Sequence, residues 1–311
     1  MKLNNFILLA FVMITITSNA QNTVKPSLDK FEGQWKSNSC ESSFLISKAK
    51  SHYHYLFKSK GQEIKGIMLI KHNGGNTYFT FENFKWTAKG NQKVNNLQLA
   101  ATYYPKNNKF VIQNTGNSTN YYVKLGECDK KYITFKKQYS KKEKQAVLTQ
   151  LMAKQFADYS LFDWVEGDIN KDNIPDFIVV LQAKKPDEDN SFVRKTVLVE
   201  TIAFPQLKIA ATNDNVVQCS NCGGGGVGDP YQLIVIKNNY FSIEEFYGAC
   251  CKDRVITTFK YSPKTHNWVL HKKGTISYCC NQKPQDGEIL TTTTIKTQKD
   301  FGIILFKDFS L

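Results

Sequence analysis

Residues 168–176 have the composition and spacing of a cation-binding loop. The segment reads Asp-Ile-Asn-Lys-Asp-Asn-Ile-Pro-Asp, so oxygen-bearing side chains recur at short intervals. Calcium is a hard cation that prefers six or more oxygen ligands. The pattern therefore predicts a structural calcium site with four side-chain ligands and one backbone carbonyl. The predicted ligands are the side chains of Asp168, Asn170, Asp172 and Asp176 and the carbonyl oxygen of Ile174.

The residues that follow this loop exclude an EF-hand. An EF-hand requires a bidentate Glu at the twelfth position, ahead of a second helix, but Val179 occupies that position. It lies inside the apolar run of residues 177–181, which predicts a buried strand. The same loop also fits an Asp/Asn-rich turn without an ion, because such side chains accept hydrogen bonds from their own backbone. Both interpretations stay open at this point.

The eight cysteines offer a second kind of chemistry. Cys40 and Cys128 lie near opposite ends of the first half and are predicted to pair. The spacing Cys219-x-x-Cys222 is that of a redox pair or of half a zinc site, but a Gly-rich loop follows it instead of a helix. Structural disulfides are predicted, with zinc and redox chemistry as alternatives. The pairing stays open among Cys219, Cys222, Cys250, Cys251, Cys279 and Cys280.

Two histidines could form a metal pair, because His52 and His54 lie on one face of a predicted strand. The opposite face carries Tyr53, Tyr55 and Phe57, which are the better core residues. The histidines are therefore predicted to face solvent. We identify no catalytic residue from the sequence, although an enzyme assembled from distant residues stays open.

The first element that the sequence predicts is a signal peptide over residues 1–20. Lys2 precedes an apolar stretch, and Ser18-Asn19-Ala20 forms a small-x-small cleavage site. No later stretch is apolar over the roughly 20 residues that a membrane-spanning helix needs, so no transmembrane segment is expected. These features predict a periplasmic or secreted protein, and an oxidising compartment agrees with disulfides.

The mature chain is predicted to be mainly β, with two domains joined by one helix. Residues 27–138 contain short runs of period-two alternation, which predict a small up-and-down barrel or sandwich. Apolar residues at helical spacing over 141–158 predict a connecting helix. Residues 161–311 return to strand patterns and predict an antiparallel β domain that contains the calcium loop.

Two resemblances accompany these patterns. The segment Phe31-Glu32-Gly33-Gln34-Trp35 resembles the start of lipocalin-like barrels. The loop at residues 168–176 resembles the calcium loops of FG-GAP and VCBS-type β-propeller blades, which also run directly into an apolar strand. It departs from them at Asn173, where Gly is usual, but Asn tolerates the left-handed conformation.

The resemblance in the second half spans about residues 168–278, which is less than half of the chain. The order of loop, apolar strand, Asn213-Asp214, the cysteine pair with its Gly run, and Gly228-Asp229-Pro230 is similar to a family of exported bacterial proteins without an assigned activity. This resemblance implies a fold and a location, not a reaction. The sequence departs from the family at its two adjacent-cysteine pairs, Cys250-Cys251 and Cys279-Cys280.

The formal net charge of +14 bears on function. The lysines are spread along strands instead of forming one block, so a basic soluble surface is predicted and no nucleic acid partner is expected. The sequence favours an exported, non-enzymatic, calcium-stabilised β protein that binds a glycan, an envelope component or a protein. The alternatives are a small-ligand carrier that uses the barrel, and an enzyme.

Overall fold

The computed structural model describes residues 29–85, 97–120, 123–126, 128–280 and 290–310. The chain is mainly β, with an antiparallel barrel, a connecting helix and two further antiparallel sheets, which confirms the predicted fold class. The predicted signal peptide, residues 1–20, lies outside the described residues. None of the helices in the described ranges has the length and apolar character needed to cross a membrane.

Eight strands form the barrel, which closes by antiparallel pairing of the first strand with the last. Of the two predicted architectures, barrel and sandwich, the barrel is therefore the one observed. In order around it the strands are β1 (Gly33–Ser37), β2 (Ser42–Ala49), β3 (His52–Ser59), β4 (Gln62–Asn73), β5 (Asn76–Phe81), β6 (Leu99–Tyr104), β7 (Lys109–Gln113) and β8 (Tyr132–Gln138).

Large aromatic side chains fill the barrel interior, because alternate residues of each strand point inward. The Trp35 indole is fully buried, and its Nε1 donates to the carbonyl of Phe31 at 2.9 Å. Neighbouring rings contact one another closely, with the Phe44 and Phe81 centroids 4.4 Å apart. The fully buried aromatic residues are Trp35, Phe44, Phe57, Phe79, Phe81, Phe84, Phe110 and Phe135.

A capped helix, α1 (Lys141–Gln155), connects the barrel to the second half. It begins with a capping box, in which the Ser140 hydroxyl accepts from the Glu143 N–H at 3.2 Å and the Glu143 carboxylate accepts from the Ser140 N–H at 2.7 Å. The predicted helix, 141–158, is too long at its end, because the chain enters a strand at Tyr159. Leu148 and Met152 are buried against the first sheet of the second half.

The second half is a sandwich of two antiparallel sheets. Its strands are β9 (Tyr159–Gly167), β10 (Asp176–Ala183), β11 (Arg194–Ala203), β12 (Gln206–Asn213), β13 (Tyr231–Lys237), β14 (Tyr240–Gly248), β15 (Cys251–Ser262), β16 (Asn267–Cys279) and β17 (Thr292–Thr297). In the first sheet the spatial order is β12, β11, β10, β9, and in the second it is β13 to β17 in chain order. The sequence pattern indicated no individual strand at the position of β9.

The strand β10 is buried on both faces, which explains its continuous apolar sequence. Phe177, Val179 and Leu181 belong to the core beneath α1. Ile178 and Val180 belong to the core between the two sheets, with Phe241, Phe259 and Trp268 of the second sheet among the other members. The calcium-like loop therefore leads directly into an inner strand of the middle layer, between α1 and the second sheet.

Every cysteine forms a disulfide. The predicted Cys40–Cys128 pair is confirmed, and it joins the loop after β1 to the segment before β8. The pairing that the sequence left open is Cys219–Cys222, Cys250–Cys280 and Cys251–Cys279. The zinc alternative is wrong, because bridged sulfurs offer no thiolate ligand. Four disulfides are typical of an oxidising environment outside the cytoplasm.

Candidate functional site

The predicted calcium loop connects β9 to β10 and is folded by its own side chains. Asp168 accepts hydrogen bonds from the backbone N–H of Lys171 at 2.7 Å and of Asn173 at 3.1 Å. The Asp172 carboxylate accepts from the N–H of Ile174 at 2.7 Å. Lys171 and Asn173 both adopt left-handed backbone conformations, with φ of 68° and 64°. The conformation expected of Asn173 is therefore present.

Three of the predicted ligands converge. Asp168, Asp172 and Asp176 each offer a carboxylate oxygen, and these oxygens all lie within 4.8 Å of one another. The side chain of Asn170 contacts the group, since its Nδ2 donates to Asp172 at 3.0 Å and its oxygen accepts from the Asp172 N–H, also at 3.0 Å. Ile174 lies in the same turn with a partly exposed side chain.

Asp176 is the buried member of the cluster. Its two carboxylate oxygens accept hydrogen bonds from the N–H of Thr201 at 2.9 Å and of Ile169 at 3.3 Å. Burial raises the pKa of Asp176 to about 7; these two N–H groups lower it, and the negative charges of Asp172 and Glu200 raise it further. Burial thus disfavours the ionised form of Asp176 in the absence of a counter-charge, and a divalent cation at this position would stabilise that form.

One residue of the second sheet and one of the turn between β13 and β14 hold the backbone of the loop. The Trp268 Nε1 donates to the carbonyl of Ile169 at 2.9 Å, and the Asn239 Nδ2 donates to the carbonyl of Asp168 at 3.1 Å. Sequence reasoning did not identify either contact. No local pattern signals them, because Trp268 and Asn239 are distant in the chain and approach only when the two sheets pack.

The donor set of the loop fits calcium. It consists of carboxylate, amide and carbonyl oxygens, which are the ligands of hard cations. The hydrogen bonds within the loop do not exhaust these acceptors, because each carboxylate oxygen has two lone pairs. Such a cation would join the end of β9 to the start of β10 and would neutralise the charge around Asp176.

The histidine pair lies elsewhere, and its position agrees with the sequence interpretation. His52 and His54 are exposed on the outside of the barrel, whereas Tyr55 and Phe57 point into the core. Over the described residues, the aspartate cluster of the loop is the one group of three or more acidic, cysteine or histidine side chains placed to share a metal ion.

Comparisons with known proteins add little to this description. No protein-family model matches the chain, and no curated protein matches it. Among solved structures, the chain is similar to a protein of unknown function from the DUF3598 family of Nostoc punctiforme. The alignment covers 86% of this chain and 95% of that chain, at 8% sequence identity and a TM-score of 0.14. A similarity of that size carries no argument about fold or function.

Proposed function

We propose that the protein is an exported, non-enzymatic binding module whose second half is stabilised by calcium. The observation that carries the calcium proposal is the convergence of Asp168, Asp172 and Asp176, whose carboxylate oxygens lie within 4.8 Å of one another. Asn170 and the carbonyl of Ile174 complete the proposed ligand set. The resemblance to FG-GAP and VCBS-type loops supports the same assignment.

Calcium in this loop would have a structural effect, because of where the loop lies. Asp176 is the first residue of β10, the strand buried between α1 and the second sheet. An ion that binds only the folded chain stabilises it by mass action, by about 2.7 kcal/mol when its free concentration is 100 times the dissociation constant.

A periplasmic or secreted location is part of the proposal. The signal-peptide pattern of residues 1–20 supports it, and so do the four disulfides. The carrier alternative loses its main support, because aromatic side chains fill the barrel interior that would hold the ligand. Binding at the surface or between the two halves is therefore the better hypothesis.

Native mass spectrometry and thermal melting before and after chelation test the calcium proposal. We expect one calcium ion per chain, lost on treatment with EDTA, and a melting temperature lowered by roughly 5–10 °C, since about 1 kcal/mol shifts the melting of a large domain by a few degrees. Magnesium added after EDTA should restore less of the lost melting temperature than calcium does.

Matched variants make this test specific. Asp172→Asn removes an exposed ligand and should abolish the calcium response. Asp187→Asn is the control, because Asp187 caps a different exposed turn by accepting from the N–H groups of Asp189 and Ser191; it should keep the full response. If EDTA releases no ion and leaves the melting temperature unchanged, the calcium role is wrong.

A further inference from the structure

A cleft opens where one end of the barrel meets the second half of the chain. Its cavity has a volume of about 440 Å³, which falls within the roughly 300–1,000 Å³ range of small-ligand sites. The turn of the calcium-like loop forms part of its wall. Residues that line it include Lys106, Lys136, Tyr139, Lys144, Ile174 and Phe204.

The charge of this cleft is positive. Lys106, Lys136, Lys137 and Lys144 line it, and Glu166 is the one acidic residue among its described lining. Two of the lysines are engaged: Lys144 pairs with Glu166 at 2.6 Å, and the Lys137 Nζ donates to the carbonyl of Asp29 at 2.7 Å. Lys106 and Lys136 are exposed and form no ion pair with any described residue.

Aromatic and neutral polar groups lie beside these charges. The rings of Tyr139 and Phe204 are half-buried, with centroids 4.4 Å apart. The hydroxyl of Thr201 is buried in the wall and has no hydrogen-bond partner among the described residues. A ligand that suits this lining carries negative charge, a ring with an apolar face and hydrogen-bonding oxygens.

We infer that the cleft binds an acidic saccharide, whose carboxylates pair with Lys106 and Lys136 and whose sugar ring packs against Tyr139 and Phe204. This inference deepens the proposed binding function and rests on it. A carboxylate paired with ammonium groups forms charge-assisted hydrogen bonds, which are stronger than neutral ones. A sugar ring has one face of C–H groups that can pack on an aromatic ring.

A second cavity, of about 510 Å³, is less suited to an anion. It lies at another part of the barrel and is lined by Lys36, Lys58 and Lys60 together with Glu41 and Glu63. Lys58 pairs with Glu63 at 2.5 Å. Acidic groups thus offset its lysines. In the cleft between the barrel and the second half, by contrast, Lys106 and Lys136 remain available to pair with an anionic ligand.

Calorimetric titration of the full mature chain, with calcium present, tests the inference. The probe is a tetrasaccharide of alternating glucuronate and N-acetylglucosamine; the neutral comparison is a tetrasaccharide of N-acetylglucosamine alone. We expect saturable binding of the acidic probe, at least about tenfold weaker binding of the neutral one, and an affinity that falls as salt is raised. Inorganic phosphate, which has no ring, should also bind at least about tenfold more weakly.

A pair of double variants assigns the binding to the cleft. Lys106→Gln with Lys136→Gln should weaken the acidic tetrasaccharide at least about tenfold. Lys264→Gln with Lys299→Gln changes the net charge equally at exposed positions outside the cleft, and should change the affinity less than about twofold. Equal affinity of the two double variants for the acidic tetrasaccharide overturns the inference. So does binding of the neutral tetrasaccharide or of phosphate as tightly as the acidic tetrasaccharide.

The calcium response of the melting temperature, recorded on the same samples, separates the two proposals. If calcium still stabilises the chain but the acidic probe does not bind, the cleft assignment alone is wrong. If the acidic probe binds the cleft but EDTA does not change the melting temperature, the calcium role alone is wrong.

Discussion

The two halves of the molecule bury different kinds of side chain. The barrel core consists of apolar and aromatic residues, with eight large aromatic side chains fully buried. The sandwich also has an apolar core, but it buries three ionisable side chains outright: Asp176, Arg194 and Glu245 are all at most 2% exposed. The barrel buries one charged side chain less completely, that of Lys137 at 8% exposure, so among the described residues most buried acidic or basic side chains belong to the second half.

Each of these three buried side chains holds a loop. Arg194 binds both carboxylate oxygens of Asp229, at 2.7 and 2.5 Å, and so anchors the Gly-rich segment before β13. Glu245 accepts from the N–H of Gln218 at 2.8 Å, at the start of the same segment. Asp176 closes the calcium-like loop. The irregular loops of the sandwich are thus fixed by buried ionisable side chains.

The largest expected effect is loss of an aromatic side chain from the barrel. Phe44→Ala should lower the free energy of unfolding by about 4 kcal/mol, because it removes a fully buried ring and leaves a cavity. Leu45→Ala is the matched control on the outer face of β2, where Leu45 is 50% exposed, and should cost less than about 0.5 kcal/mol. Urea unfolding followed by tryptophan fluorescence measures both; a cost below about 1 kcal/mol for Phe44→Ala would contradict a close-packed barrel.

The next largest effect concerns the Arg194–Asp229 ion pair of the sandwich, whose two side chains are buried to different extents. The Arg194 side chain is fully buried, whereas that of Asp229 is 42% exposed. Asp229→Asn leaves a buried guanidinium without its counter-charge and should cost about 3 kcal/mol, at the low end for breaking a buried pair. Arg194→Met leaves a carboxylate that water can reach, so it should cost about 1 kcal/mol.

Chemical denaturation of both variants checks this order. Arg254→Met is the control, because it makes the same substitution in the Arg254–Glu244 pair, where the arginine is 54% exposed, and it should cost less than about 1 kcal/mol. If Arg194→Met is more destabilising than Asp229→Asn, the buried guanidinium is not the source of the cost, and the proposed contrast between the two halves weakens.

The sequence was sufficient for elements whose burial has a simple period. Barrel strands have one inward face, so residues such as Tyr55 and Phe57 alternate with exposed neighbours. The capping box at Ser140 and Glu143 encodes the helix start locally. The strand β9 escaped prediction because none of its nine residues is fully buried and six are half-buried, with a bulge in its pairing to β10, so the alternation of its first residues does not continue along the strand.

The candidate site was predictable only where its residues are close in the chain. Asp168, Asp172 and Asp176 fall within nine positions, so the spacing alone brings them together. The contacts of Trp268 and Asn239 span 99 and 71 positions and depend on how the two sheets pack. The basic cleft was missed for the same reason, because its lysines come from three separate segments that meet between the halves.

The smallest expected effect compares one carboxylate in each half. The contributions of these two carboxylates to stability should change with pH in opposite directions. At the barrel, burial alone would raise the pKa of Asp29, but the Lys48 ammonium, the Phe31 N–H and the Tyr53 hydroxyl lower it to about 2. In the sandwich, burial raises the pKa of Glu245 above its ordinary value, although hydrogen bonds from Gln218 oppose this.

The two shifts have opposite consequences for stability. Asp29 stabilises the folded chain above its ordinary pKa of 3.8, and this contribution is lost as the pH falls from about 4 towards 2. Glu245 retains its proton in the folded state after the unfolded chain has lost it, so its contribution declines as the pH rises above its ordinary pKa of 4.5. Relative to wild type, Asp29→Asn should therefore be most destabilising near neutral pH and less so in acid. Glu245→Gln should show the opposite trend, with its smallest destabilisation near neutral pH.

Urea unfolding of wild type and both variants between pH 3 and 8 measures these differences. We expect Asp29→Asn to cost about 1 kcal/mol at pH 7, since Lys48 is partly exposed and the pair is screened, and less at pH 3. The free energy of unfolding of Glu245→Gln, taken relative to wild type, should instead rise with pH, because Gln keeps the shape of the protonated acid without a titratable proton. Parallel pH profiles for the two variants would contradict the comparison, because burial would then act on both carboxylates in the same direction and the Lys48 contact would carry no weight.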